Sequence, residues 1–143
     1  MTATLMRELF LETLRRDNQL FDALDDSGEI IRLDWREGDN LEEISIYVSF
    51  KVLDNGTEMA HIGCYDLPNF SDRFDKGVRI CNQLNDDELV KYYIDDEGDA
   101  VTTTTLLFSS CGVTAQFSPE LVLAYANTTA LSVDDAYPIL ARA

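Results

Sequence analysis

His61 and Cys64 are the only nearby pair of histidine and cysteine side chains with metal-ligand chemistry. They sit in a stretch of strand character, where successive side chains alternate, so they face opposite sides of a sheet and cannot grip one ion. His61 is the only histidine, so a Ser–His or Cys–His nucleophile would have to use it, and no Gly-x-Ser-x-Gly elbow is present to support one. The run Asp95-Asp-Glu-Gly98-Asp99 invites a calcium reading. With Asp95 opening an EF-hand loop, the required glycine falls on Ala100 and the bidentate glutamate on Leu106, and both fail. Asp25-Asp-Ser-Gly28 has the same turn shape and fails as well. Neither Gly-rich phosphate-loop pattern occurs. The residues therefore point to no catalytic side chain, no metal and no cofactor. Carboxylates are plentiful, but a catalytic pair needs one desolvated acid beside a solvated one, and nearly every acid falls in a turn. A small carboxylate-using enzyme or a small-ligand-binding protein stands as the alternative reading.

The charge balance narrows the partners. Among 143 residues, 27 are Asp or Glu and 11 are Lys or Arg, a net charge of −16. Such a field opposes a phosphate backbone and favours a basic partner, so nucleic acid is excluded and a protein or peptide is expected. No apolar run is long enough for a spanning helix or a secretory leader, so no membrane contact is expected. Three separated cysteines, Cys64, Cys81 and Cys111, read as reduced, mostly buried thiols of a cytoplasmic protein.

The elements that would position these residues follow from periodicity. Residues 4–16 have helical spacing, with Leu5, Leu9, Phe10, Leu11 and Leu14 on the apolar side. Residues 19–24 are open between a last helical turn and a short strand. Alternation marks strands at residues 31–36 and 44–53, the second placing Ile44, Ile46, Val48, Phe50 and Val52 on one face. Asn55-Gly56 predicts a type I′ hairpin, with a return strand over residues 57–65. Ser71 is a plausible cap for a helix to about residue 84, with Phe70, Phe74, Val78, Cys81 and Leu84 on its buried face. Strands follow at residues 89–94 and 100–108, and Gly112 breaks the pattern. Ser118-Pro119-Glu120 starts a last helix with cap, first-position proline and acidic first turn in agreement. Asn127-Thr-Thr129 and Pro138 are expected to interrupt it, and Pro138 to kink or end it. The order α-βββ-α-ββ-α, with hairpin turns, gives an α+β fold: one domain over residues 1–143, an antiparallel sheet flanked by helices.

Ile80-Cys-Asn-Gln-Leu-Asn85, then Leu89-Val-Lys-Tyr-Tyr-Ile-Asp-Asp-Glu-Gly-Asp99, then a strand and Gly112-Val-Thr114 before a helix, resemble the YbjN family. The resemblance covers roughly residues 70–131. It implies a fold similar to the class I type III secretion chaperones, small acidic dimers that hold an extended partner segment. Members are described as regulators or chaperone-like proteins without an established reaction. The expected function is accordingly a non-catalytic module, as a homodimer, binding a peptide or protein. Two apolar features could form its interaction surface: the run from Leu121 through Tyr125, with Tyr137 beyond it, and the second face of the long strand at Tyr47 and Leu53. For the helix, burial under the sheet and an exposed partner surface are equally open. For the strand face, exposure to solvent is expected.

Overall fold

Alternating strands and amphipathic helices assemble, in a computed structural model, into a six-stranded antiparallel sheet with three helices. The structure describes residues 1–24, 29–87, 90–109 and 116–143, with residue 87 described in its backbone alone. The expected turn at residues 25–28, Leu89, Cys111 and Gly112-Val-Thr114 lie outside them. In chain order the elements are α1 (Ala3–Arg16), β1 (Phe21–Ala23), β2 (Ile30–Arg36), β3 (Glu43–Val52), β4 (Glu58–Cys64), α2 (Phe74–Asp87), β5 (Tyr92–Ile94), β6 (Ala100–Phe108) and α3 (Pro119–Ala141). The sheet order is β1-β2-β3-β4-β6-β5. The α+β class and antiparallel sheet stand as read. Residues 21–23 resolve as strand, because Phe21, Asp22 and Ala23 pair with Leu33, Arg32 and Ile31.

Period-two alternation decides the two faces of the sheet. Ile31, Leu33, Ile44, Ile46, Val48, Ala60 and Ile62 are buried on one face, which α1 and α3 cover. α1 contributes Met6, Phe10 and Leu14, with Leu5 turned outward at 47% exposure, so the buried stripe centres one residue later than expected. α3 contributes Val122, Ala126, Ala130, Val133 and Leu140, its small residues letting the helix lie close to the strands. α2 packs at the β5 end and begins at Phe74 rather than after Ser71. Its buried side is Gly77, Cys81 and Leu84, while Phe74 and Val78 face outward, against expectation. The cause is Gly77: a Cβ there would lie 2.7 Å from the Phe70 ring, so the helix docks through its glycine and rotates the larger side chains out.

Two further expectations are corrected by backbone detail. At the β3–β4 hairpin only Gly56 has positive φ (86°). The loop is therefore not type I′: Leu53 and Thr57 close it through a 2.9 Å bond, and glycine takes the left-handed position of a three-residue turn. Nor does Pro138 end the last helix, and residues 127–129 do not interrupt it; α3 continues to Ala141. Proline removes the N–H that the carbonyl of Asp134 would accept, and Asn40 Nδ2 donates to that carbonyl instead, at 2.9 Å.

Among the described residues, no helix is long and apolar enough to cross a membrane. Cys64 and Cys81 are free buried thiols, and burial pushes the Cys64 thiol up to about 12.

Candidate functional site

Two surfaces remain after the core is closed. The first runs along α3. Leu121 and Tyr125, four residues apart and 42% and 37% exposed, form a short outward stripe; Leu131, 62% exposed, turns instead toward β2 and β3, where it lines a cavity with Trp35, Arg36 and Ile44, and Ile139, 40% exposed, lies at the far end of the helix. Ser118 Oγ accepts the Leu121 N–H at 3.1 Å and fixes where this stripe begins. Glu120, in the same first turn, meets Arg16 of α1 at 3.2 Å. Its own backbone N–H and then Arg16 hold its carboxyl below the usual range.

Beside the stripe lies a strand edge. β5 pairs only with Ala100, Val101 and Thr102, whereas β4 pairs with β6 from Thr102 to Phe108. Residues 103–108 thus keep one side without a neighbouring strand among the described residues. A cavity of about 340 Å³ follows that edge, lined by Val90, Lys91, Thr103, Thr104, Tyr125 and Thr128. β6 carries no charged residue, proline or glycine, the usual devices that discourage edge pairing.

The second surface is the sheet face that no helix covers. Leu24, Ile30, Tyr65, Tyr93 and Leu107 are each more than a third exposed there. Leu24, Ile30, Tyr47, Val48, Ser49, His61 and Tyr65 line an open cavity of about 240 Å³. Its shape depends on Gly63, where a Cβ would stand 2.5 Å from the Tyr65 hydroxyl and 2.7 Å from Cζ. The missing side chain lets Tyr65 lie flat along its own strand and reach His61 Nε2 at 3.2 Å, while His61 Nδ1 meets Thr105 Oγ1 at 3.2 Å. The Tyr47 ring lies 5.7 Å from that of Tyr65, tilted by 52°, and its hydroxyl donates to Asp66 Oδ2 at 3.2 Å. Burial, then the Asp66 charge, raises the Tyr47 phenol; burial, then Tyr93, raises that of Tyr65. Both stay protonated at neutral pH.

Gly63→Ala is expected to swing the Tyr65 ring off the sheet and separate it from His61, at a cost of about 1 kcal/mol. Proton NMR of the single histidine and the Tyr65 ring reports this. Unchanged ring shifts in a folded variant would show that glycine is not what seats the tyrosine.

The five sequence-derived interaction residues separate. Leu121 and Tyr125 stand together on the α3 stripe, while Tyr137 is half-buried against the core. Tyr47 lines the cavity on the uncovered sheet face, and Leu53 is half-buried at the hairpin, so the face is not the plain solvated surface expected. His61 and Cys64 do face opposite ways, the first onto the open face and the second into the core. The sequence reading missed Tyr65, since nothing local says that Gly63 frees the ground beneath it. It also missed two buried acids, for not every carboxylate lies in an exposed bend. Glu58 is 4% and Asp134 6% exposed, and the Asp134 carboxylate accepts the backbone N–H groups of Asp39, Asn40 and Leu41 at 2.8, 2.9 and 2.9 Å.

The motifs behind the YbjN resemblance prove to be packing devices. Asn85 Oδ1 accepts the Tyr92 N–H at 2.7 Å and Asn85 Nδ2 donates to the Tyr92 carbonyl at 3.0 Å, so the α2 end borders β5 as a strand would. Asp95 Oδ1 accepts from Glu97 and Asp99 at 3.0 and 2.9 Å, closing the turn in which Gly98 has φ 88°.

No family model and no curated protein matches the chain. Among solved structures it is similar to the crystal structure of YbjN from E. coli, a proposed transcription regulator. The TM-score is 0.54 at 12% identity, over 91% of this chain and 87% of that one. At that identity the likeness is one of fold: this chain has a YbjN-like α+β fold.

Proposed function

We propose that the protein is a non-catalytic binding module that holds an extended segment of a protein partner along α3 and the free edge of β6. The observation that carries this reading is the outward pair Leu121 and Tyr125, with Tyr125 lining the cavity along a nine-residue strand that is paired on that side over only three positions. An added strand would gain main-chain hydrogen bonds from the edge and side-chain contacts from the stripe. The net charge of −16 raises the encounter rate of a basic partner and makes it sensitive to salt. A regulatory role of the kind proposed for the E. coli YbjN would on this reading run through protein contacts, because the same charge opposes a nucleic-acid backbone. The surface would equally suit a second copy, giving the homodimer, and a cytoplasmic setting accords with the reduced thiols. Support for a binding module over a carboxylate-using enzyme comes from the shifted acids. Glu58 and Glu120 are both held below the usual range, the opposite of what a general acid needs.

The test is residue-specific photo-crosslinking at Thr128 in cells, with size-exclusion mass measured across dilution. Protein crosslinks should appear for the wild type and fall at least about 30-fold in Leu121→Asp/Tyr125→Asp. They should persist in Tyr65→Ala, which alters only the opposite face. Crosslinks that survive the double substitution would sink the proposal.

A further inference from the structure

The uncovered sheet face has a second cavity of about 320 Å³, lined by Ser49, Lys51, Met59 and His61. It shares Ser49 and His61 with the cavity beneath Tyr47 and Tyr65, so the two form one trough across β3 and β4. Its ends differ in chemistry. One is walled by Leu24, Ile30, Tyr47 and Tyr65; the other holds the exposed Lys51 ammonium, which makes no ion pair among the described residues. Ser49 stands opposite His61 and Lys51 opposite Met59, which makes Lys51 and His61 diagonal neighbours on the same face. Among the described residues, no carboxylate lines either half of the trough.

From this arrangement we infer that the trough is a binding site for a small amphiphilic carboxylate, its apolar part between Tyr47 and Tyr65 and its charged end against Lys51 beside His61. Volume sets the size: 240 Å³ corresponds to about eight water-sized groups, a short alkyl chain or a single ring. Charge sets the class. The acid field of the whole protein opposes an anion, but at physiological salt it is screened beyond about 8 Å, leaving the groups within reach to decide. At the Lys51 end those among the described residues are cationic or neutral, while the Asp66 carboxylate, bonded to the Tyr47 hydroxyl, lies toward the apolar end. His61 adds a polar ring whose orientation the hydroxyls of Thr105 and Tyr65 fix, each 3.2 Å from a ring nitrogen. A ligand of this size should bind with a dissociation constant on the order of 0.1–1 mM.

Sodium octanoate is the probe, with 1-octanol and octylamine carrying the same tail without the carboxylate. The readout is the His61 ring resonance, unambiguous because the chain has one histidine. Octanoate should move it and saturate, binding about tenfold more tightly than octanol, with octylamine weakest. Lys51→Met should collapse the octanoate preference to near parity while octanol binding persists; Tyr65→Ala should weaken both. Leu121→Asp/Tyr125→Asp should leave octanoate binding intact, which separates this site from the partner surface on α3. Tighter binding of octylamine than octanoate would overturn the assignment. So would a His61 resonance that follows protein concentration and ignores octanoate, the signature of a second copy covering this face.

Discussion

Asp134→Ala is expected to destabilise the protein by about 3 kcal/mol and lower its melting temperature by about 10 °C. The carboxylate is almost fully enclosed, and it is the acceptor for three consecutive N–H groups in the β2–β3 connection. Removing it strands those donors and loosens the β2–β3 connection from α3. Glycine at 38 belongs to the same arrangement, since a Cβ there would lie 2.6 Å from Asp134 Oδ1. Asp134→Asn keeps the shape but turns an amide N–H₂ toward backbone donors, so its cost should fall between wild type and alanine, about 2 kcal/mol. Asp135→Ala, on the exposed neighbour, should change stability by less than about 0.5 kcal/mol. Urea unfolding followed by circular dichroism measures all three. An Asp134→Ala loss as small as that of Asp135→Ala would show that the strands alone shape the connection.

A second large loss is expected at Phe10. Its ring is fully buried and meets Phe50 edge-on at 5.5 Å, Phe50 meets Phe117 at 5.8 Å, and Phe117 meets Phe108 at 5.2 Å. This series of edge-to-face contacts joins α1, β3, the approach to α3 and β6. Phe10→Ala removes the first member and leaves a cavity in a close-packed interior, at about 4 kcal/mol. Phe10→Leu refills most of the volume without the ring geometry and should cost about 1.5 kcal/mol. A Phe10→Leu variant as stable as the wild type in chemical denaturation would show that ring packing contributes nothing beyond size.

Both residues show where a sequence stops being readable. Phe10 is legible as core, because helical spacing places it with Leu14; the far members of its ring series, Phe108 and Phe117, are not, since their contact joins β6 to the approach to α3. Asp134 looks like one more solvated acid of a helix, and only the neighbouring connection reveals it as an acceptor. On the candidate surfaces, Leu121, Tyr125 and Tyr47 were legible as apolar residues in excess of the core. Tyr65 was not, because its placement rests on the absence of a side chain at Gly63.

The amino-acid order alone determined what nearest neighbours decide: alternation in β3, the capped start of α3 at Ser118-Pro119, the acidic turns and the resulting α+β class. These depend on interactions reaching a few residues along the chain, which the order of side chains specifies directly. Tertiary structure decided the rest. It rotated α2 onto Gly77, carried α3 past Pro138 with a hydrogen bond borrowed from Asn40, buried Asp134, and left one sheet face without a helix. Each of those outcomes needs a partner distant in sequence to fill a volume or satisfy a polar group, and no local pattern of residues names that partner.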